Sequence, residues 1–182
     1  MKRDITEKLI RWKDNPGRKP LLLTGVRQCG KTYTIQQFGR EFFSNCVIVN
    51  FEGQEHYSEI FDYDFDVVRI VKELEFAQKQ KIIPGKTLVF LDEIQECPRA
   101  ITALKYFCEN MRELHVICAG SLLGVALKKE NISFPVGKVN RMQLYPMSFK
   151  EFVIANGEEE KMEALQDWPV DRAVPELYSR PM

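Results

Sequence analysis

Eight consecutive residues, Gly25-Val26-Arg27-Gln28-Cys29-Gly30-Lys31-Thr32, follow the spacing G-x-x-x-x-G-K-[ST], and that spacing serves phosphate chemistry. Glycines let a tight loop turn its backbone N–H groups inward on an anion, and a helix starting behind the loop adds the positive end of its dipole, roughly half a charge. Lys31 brings a mobile positive charge for β- and γ-phosphates. The Thr32 hydroxyl is a ligand for Mg²⁺, which takes few protein ligands because it keeps several waters. The loop residues Gly25 to Thr32 are therefore the predicted nucleotide contacts, Lys31 being catalytic as well and Thr32 a metal ligand. Further along, Leu88-Val89-Phe90-Leu91-Asp92-Glu93 is an apolar run ending in two carboxylates. It resembles a Walker B motif, in which Asp92 holds Mg²⁺ and Glu93 accepts a proton from, or orients, the water attacking the γ-phosphate.

Several other residues have two readings each. Ser121, after Gly120, is either a polar sensor of the γ-phosphate among the nucleotide contacts or the N-cap of a helix from Leu122. Asn50 ends an apolar run and is placed to hydrogen-bond Glu93, holding the base off until a partner arrives. Cys29 lies beside Lys31 and a helix N-terminus, a setting that activates a thiol, although small cysteines more commonly just fill space. Phosphoryl transfer usually needs a further cation. Arg99 and Arg141 are candidates, although an arginine in either place is more commonly just an exposed helix or strand residue. His56 and His115 lack partners at ligand spacing.

These groups need elements to hold them. Periodicity predicts a helix over 5–12, a buried strand over 20–24, a helix over 31–43 and a strand over 46–50. Val67, Ile70, Val71 and Leu74 predict a helix over 66–80, and after Pro84-Gly85 comes a strand over 87–91. Pro98 suits a first helical turn, Ile101, Leu104, Cys108 and Met111 share one helix face, and His115 to Ala119 is a strand. A last strand is expected over about 138–145, and Ser148 with Glu151 has capping-box spacing. Strands alternating with amphipathic helices predict an α/β P-loop NTPase fold: a mostly parallel, five-stranded sheet sandwiched between helices, with ligands at the carboxyl ends of the strands. The expected organisation is an N-terminal helical segment over 1–18, an ATPase-type domain over 19–155 and the start of a further region over 156–182.

The 182 residues carry 26 basic and 26 acidic side chains, so no chain-wide basic field points to nucleic acid. Lys128 and Lys129 form a local pair that could meet DNA but would equally solvate a helix end. Apolar runs such as Leu21 to Leu23 fall far short of the roughly 20 residues that span a bilayer, and the charged N-terminus lacks a secretory pattern. The expectation is a cytoplasmic protein without a membrane partner. Five cysteines without a Cys-x-x-Cys pair indicate reduced thiols rather than a disulfide framework or a zinc site.

The motifs together resemble a family of prokaryotic ATP-binding proteins with an N-terminal AAA-type ATPase domain followed by a C-terminal domain of unknown function. The strings that carry the resemblance are Lys19 to Thr32, Asp92-Glu93-Ile94-Gln95, Ala119-Gly120-Ser121-Leu122-Leu123-Gly124 and Leu144 to Phe152. They cover roughly residues 19 to 152, less than half of a full family member. The resemblance implies an additional-strand P-loop core with ATP and Mg²⁺ as ligands, Lys31, Thr32, Asp92 and Glu93 keeping the roles argued above. It also implies that this chain stops where the second domain starts.

Two functions compete. One is a Mg²⁺-dependent ATPase, a hydrolase whose turnover drives a conformational change, with a second copy or another protein supplying an arginine. The alternative is an ATP-dependent binding module or switch with negligible turnover alone. Glu93 favours the first, and the lack of an obvious catalytic arginine keeps the second open. A small-molecule kinase would need an acceptor site and an arginine-rich lid that the sequence does not display, and no Asn-Lys-x-Asp motif speaks for guanine.

Overall fold

The structure is a computed structural model, and it describes residues 3–120 and 135–158. The chain divides into two compact units, one of Ile5–Pro146 and one of Met1–Asp4 with Met147–Met182.

The larger unit is built on one sheet. Its strands are β1 (Leu21–Thr24), β2 (Asn45–Asn50), β3 (Thr87–Asp92), β4 (His115–Gly120) and β5 (Asn140–Gln143), in the order β2-β3-β4-β1-β5. Every pairing among them is parallel. The helices are α1 (Ile5–Asp14), α2 (Lys31–Phe42), α3 (Glu55–Asp62), α4 (Val67–Gln78) and α5 (Pro98–Asn110), with a 3₁₀ turn at Ile94–Glu96. The expected α/β fold is thus present, its sheet parallel throughout the described strands.

Side-chain alternation along the strands sorts the core into two layers. Leu21 and Leu23 of β1, Leu88 and Phe90 of β3, and Ile117 and Ala119 of β4 face a cluster with Ile5, Leu9 and Trp12 of α1 and Ile35 and Phe38 of α2. Leu22, Val47, Val49, Val89, Leu91, Val116 and Cys118 point the other way, onto the buried faces of α3, α4 and α5. Burial on both faces explains why β3 and β4 read as unbroken apolar runs rather than alternating ones.

The elements and their grouping add detail to the expectation. Helix α1 packs its Ile5, Leu9 and Trp12 into the core of the larger unit. The larger unit ends at Pro146 and the smaller resumes at Met147. Helix α3 was not expected: its Tyr57, Ile60 and Phe61 are buried at helical spacing, yet its N-cap, Gln54, makes no side-chain capping bond. The last strand is shorter than predicted, ending at Gln143.

In the smaller unit, α6 (Phe149–Ala155) begins with the predicted capping box. The Ser148 Oγ accepts from Glu151 N–H at 3.2 Å, and the Ser148 N–H donates to Glu151 Oε2 at 2.8 Å. Glu151 Oε1 also accepts from the Arg3 Nε and the Asp4 N–H, each at 2.9 Å. Burial works against this carboxylate's charge, but the donors from Ser148, Asp4 and Arg3 outweigh it and hold the group below the ordinary Glu range.

At Gly39, α2 lies close against the sheet. A Cβ there would lie 2.7 Å from Cys46 Sγ and 2.8 Å from Cys46 Cβ. Gly39→Ala is expected to destabilise the protein by about 1–2 kcal/mol, overpacking outweighing the ~1 kcal/mol that alanine gains over glycine inside a helix. Urea unfolding would read this directly, and a stabilised variant would show that β2 yields freely.

Candidate functional site

Parallel strands deliver their carboxyl ends to one edge of the sheet, and the loops leaving β1, β2 and β3 meet there. The loop after β1 turns through two left-handed residues, Gln28 at φ 61° and Gly30 at φ 88°, and Gly30 stands directly before α2. A glycine suits that backbone at Gly30, whereas Gln28 adopts it against its Cβ. Gly25 is needed for a different reason, since a Cβ there would sit 2.5 Å from the Leu144 carbonyl oxygen and 2.9 Å from Cys29 Sγ.

Lys31 is buried and folds back over the loop, donating from Nζ to the Gly25 and Val26 carbonyls at 3.0 and 2.9 Å. Thr32 reaches across to β3, where its hydroxyl donates to Asp92 Oδ2 at 2.7 Å. Asp92 Oδ1 accepts from the Glu93 N–H at 3.1 Å. The two expected metal ligands, sixty positions apart in the chain, are therefore in direct contact. A hydroxyl and a carboxylate are the hard oxygen donors that Mg²⁺ takes, so these residues fit that ion.

Burial pushes the Asp92 carboxyl above its ordinary value of 3.8, against the opposing Thr32 and Glu93 donors. Glu93 follows with φ 48° and ψ 46°, a left-handed conformation in a residue with a full side chain, and leads into the 3₁₀ turn. Its Oε2 accepts from Gln95 Nε2 at 2.6 Å. Arg27, Gln28, Gly30, Lys31, Thr32 and Tyr33 line one side of a cavity of about 530 Å³, with Glu52, Glu93, Gln95 and Glu96 on the other.

The remaining candidates fall elsewhere. Asn50 does not bond Glu93; its Oδ1 accepts from the Glu52 N–H at 3.0 Å, closing a local turn. Arg99 is committed to α3, with Nε donating to the Phe61 carbonyl at 2.7 Å and its guanidinium 4.5 Å from the Phe65 ring centre. Arg141 lies on β5 in register with Leu22 and does not line the cavity. Cys29 is buried against Leu144, its Sγ 3.7 Å from that carbonyl oxygen, which favours the packing role. Ser121 and the Lys128-Lys129 pair lie outside the described residues. Sequence reasoning assigned no role to Gln95, whose partnership with Glu93 depends on a left-handed turn that residue types do not announce.

A family profile described as an AAA domain matches residues 17–153, three quarters of the chain. The chain belongs to the AAA domain family. Solved structures agree on the fold. The Walker-type ATPase of Pyrococcus abyssi is similar with a TM-score of 0.56 at 17% identity, over 92% of this chain and 59% of that one. The Aeropyrum pernix ORC1 protein, solved in complex with DNA, gives a TM-score of 0.53 at 17% identity, over 87% and 50%. The chain thus spans less than two thirds of either structure. A sequence search of curated proteins finds no match. Among the described residues of this AAA domain, no helix is long and apolar enough to cross a membrane.

The raised Asp92 value has a consequence for stability. The folded protein holds this proton more tightly than the unfolded chain, so the cost of burying the charge is absent below the ordinary carboxyl range and fully present above the raised folded value. In Asp92→Asn the amide oxygen can keep the Glu93 N–H while the amide donates to the Thr32 oxygen. The nucleotide-free variant is expected to unfold at higher urea than the parent at neutral pH, with the gain shrinking as pH falls below that range. A gain independent of pH would assign the effect to something other than the charge.

Proposed function

We propose that this AAA domain binds Mg-ATP in the cavity between the loop after β1 and the end of β3, and hydrolyses it to ADP and phosphate. The observation that carries the proposal is the 2.7 Å contact between Thr32 and Asp92, which joins a phosphate-binding loop to an acidic strand end. The backbone N–H groups of residues 25 to 32 and the start of α2 would receive the phosphates. Lys31 would exchange the Gly25 and Val26 carbonyls, its present partners, for phosphate oxygens. Held by Thr32 and Asp92, Mg²⁺ would neutralise charge on the β- and γ-phosphate oxygens.

Glu93 lines the cavity and carries the base role. As the water oxygen bonds to the γ-phosphorus and the bond to the β–γ bridging oxygen breaks, a proton passes from water to the Glu93 carboxylate. Arg27, exposed in the loop, and Lys31 are the two cationic side chains among the described residues that line the cavity. A second copy of the chain or a protein partner is the further source of positive charge, and coupling of turnover to a conformational change belongs to the same proposal.

Phosphate release from Mg-ATP across a range of protein concentrations tests this. Glu93→Gln is expected to cut kcat by about 10²-fold or more with ATP affinity retained, the usual worth of a positioned base. Lys31→Ala should lose nucleotide binding itself. Specific activity rising with concentration would point to an arginine shared between copies. Saturable binding with no turnover would instead favour a nucleotide-dependent switch.

A further inference from the structure

The 3₁₀ turn after β3 brings two side chains together that the reaction scheme above uses only in part. Ile94 is fully buried in the core and anchors the turn, which the Glu96 N–H closes onto the Glu93 carbonyl at 3.0 Å and the Cys97 N–H onto the Ile94 carbonyl at 3.0 Å. On either side of that anchor, Glu93 and Gln95 both line the cavity. The Gln95 amide donates to Glu93 Oε2 at 2.6 Å, a short bond of the charge-assisted kind. The opposite amide orientation would set Gln95 Oε1 against a carboxylate oxygen, so the donor must face Glu93.

The rest of the Gln95 side chain has little other employment. Its Oε1 is buried without a hydrogen-bond partner, and its amide lies at a longer 3.5 Å from Glu96 Oε1. Leaving a buried acceptor unmade is costly, and a residue serving stability alone would gain by an apolar replacement. The bond to Glu93 is what the arrangement secures.

We propose that Gln95 is the positioning residue for the catalytic base: its amide fixes the Glu93 carboxylate through Oε2 and leaves Oε1 to take the proton from the attacking water. This rests on Glu93 being that base. A carboxylate on a left-handed residue at a strand end has free side-chain torsions, and loss of orientation by about 1 Å at a reacting group can cost up to 10²-fold in rate. The backbone sets where Glu93 starts, and Gln95 sets where its carboxylate ends.

The test compares Gln95→Ala, Gln95→Glu and Glu93→Gln for Mg-ATP affinity and for single-turnover hydrolysis. Gln95→Ala is expected to lower kcat by about tenfold or more while the Kd for Mg-ATP stays within about twofold. Gln95→Glu preserves size and shape but sets a second carboxylate against Glu93, so it should lose turnover at least as severely. A residue that only fills space would tolerate that change. Wild-type kcat in either Gln95 variant, a rise in turnover, or a loss confined to ATP affinity would overturn the proposal. Where Glu93→Gln is inactive and Gln95→Ala is not, only the positioning role fails; where Glu93→Gln turns over normally, the hydrolysis scheme itself fails. A measurement free of turnover completes the test: the Gln95 side-chain amide protons, followed by ¹H–¹⁵N NMR in the nucleotide-free protein, should shift in Glu93→Gln. Resonances that stay unchanged would also overturn it.

Discussion

The hydrogen bond from Thr32 to Asp92 depends on how far α2 can lean across the sheet. Strand β4 stands between β1, which feeds the phosphate loop, and β3, which carries the acids. Two strand spacings, roughly 10 Å, therefore separate the backbones that must cooperate. The gap closes because α2 does not stay over β1. Its Ile35 and Phe38 pack with Leu88 and Phe90 of β3, and Gly39 lies against Cys46 of β2 and Leu88 of β3. A larger residue at Gly39 would lift the helix, and with it the end that carries Lys31 and Thr32.

That geometry also explains the condition of the acidic pair. Asp92 is held almost out of water by the layers that form the core, and its charge is eased by one hydroxyl and one N–H, with Lys31 contributing least. Lys31 itself spends its ammonium on loop carbonyls. Lys31 and Asp92 thus each have neutral hydrogen-bond partners that, on the proposed function, a phosphate or a metal ion would replace. Pre-organisation of this kind lowers what binding must spend on reorganisation.

Much of this was legible from residue order. The glycine spacing from Gly25 to Lys31 and the apolar run into Asp92 identify the loop and the acidic strand, because phosphate binding and two-sided burial each leave a strong local signature. The capping box at Ser148 and Glu151 was equally plain. Helix α3 was not, since it is eight residues long and Gln54 leaves its first turn uncapped, so only Tyr57, Ile60 and Phe61 betray it. The misplaced expectation for Asn50 has a different origin. Register puts Asn50 beside Asp92, but a side chain two bonds past the backbone satisfies the nearest donor first, here the Glu52 N–H. Gln95 escaped notice because its partnership needs Glu93 in a left-handed conformation, which no residue-type pattern announces.

Away from this edge, three buried or half-buried titratable side chains of the larger unit are held neutral. His115 starts β4 edge-on to the rings of Trp12 and Phe43, and burial, helped by the nearby Arg18, pushes its value down to about 4, so it is neutral near pH 7. Burial raises the Cys118 thiol far above its ordinary value and the Cys46 thiol to about 11, so neither is a thiolate near neutral pH. These neutral groups add no charge of their own beneath the sheet, where Asp92 and Lys31 are the buried charged side chains among the described residues of the larger unit. The described rim of the cavity carries Arg27 and Lys31 on the loop, facing Glu52, Glu93 and Glu96, with the Asp92 carboxylate against Thr32 beneath. Acids thus face bases across the cavity, so on the proposed function a divalent cation accompanying ATP would ease the repulsion between the phosphates and this rim.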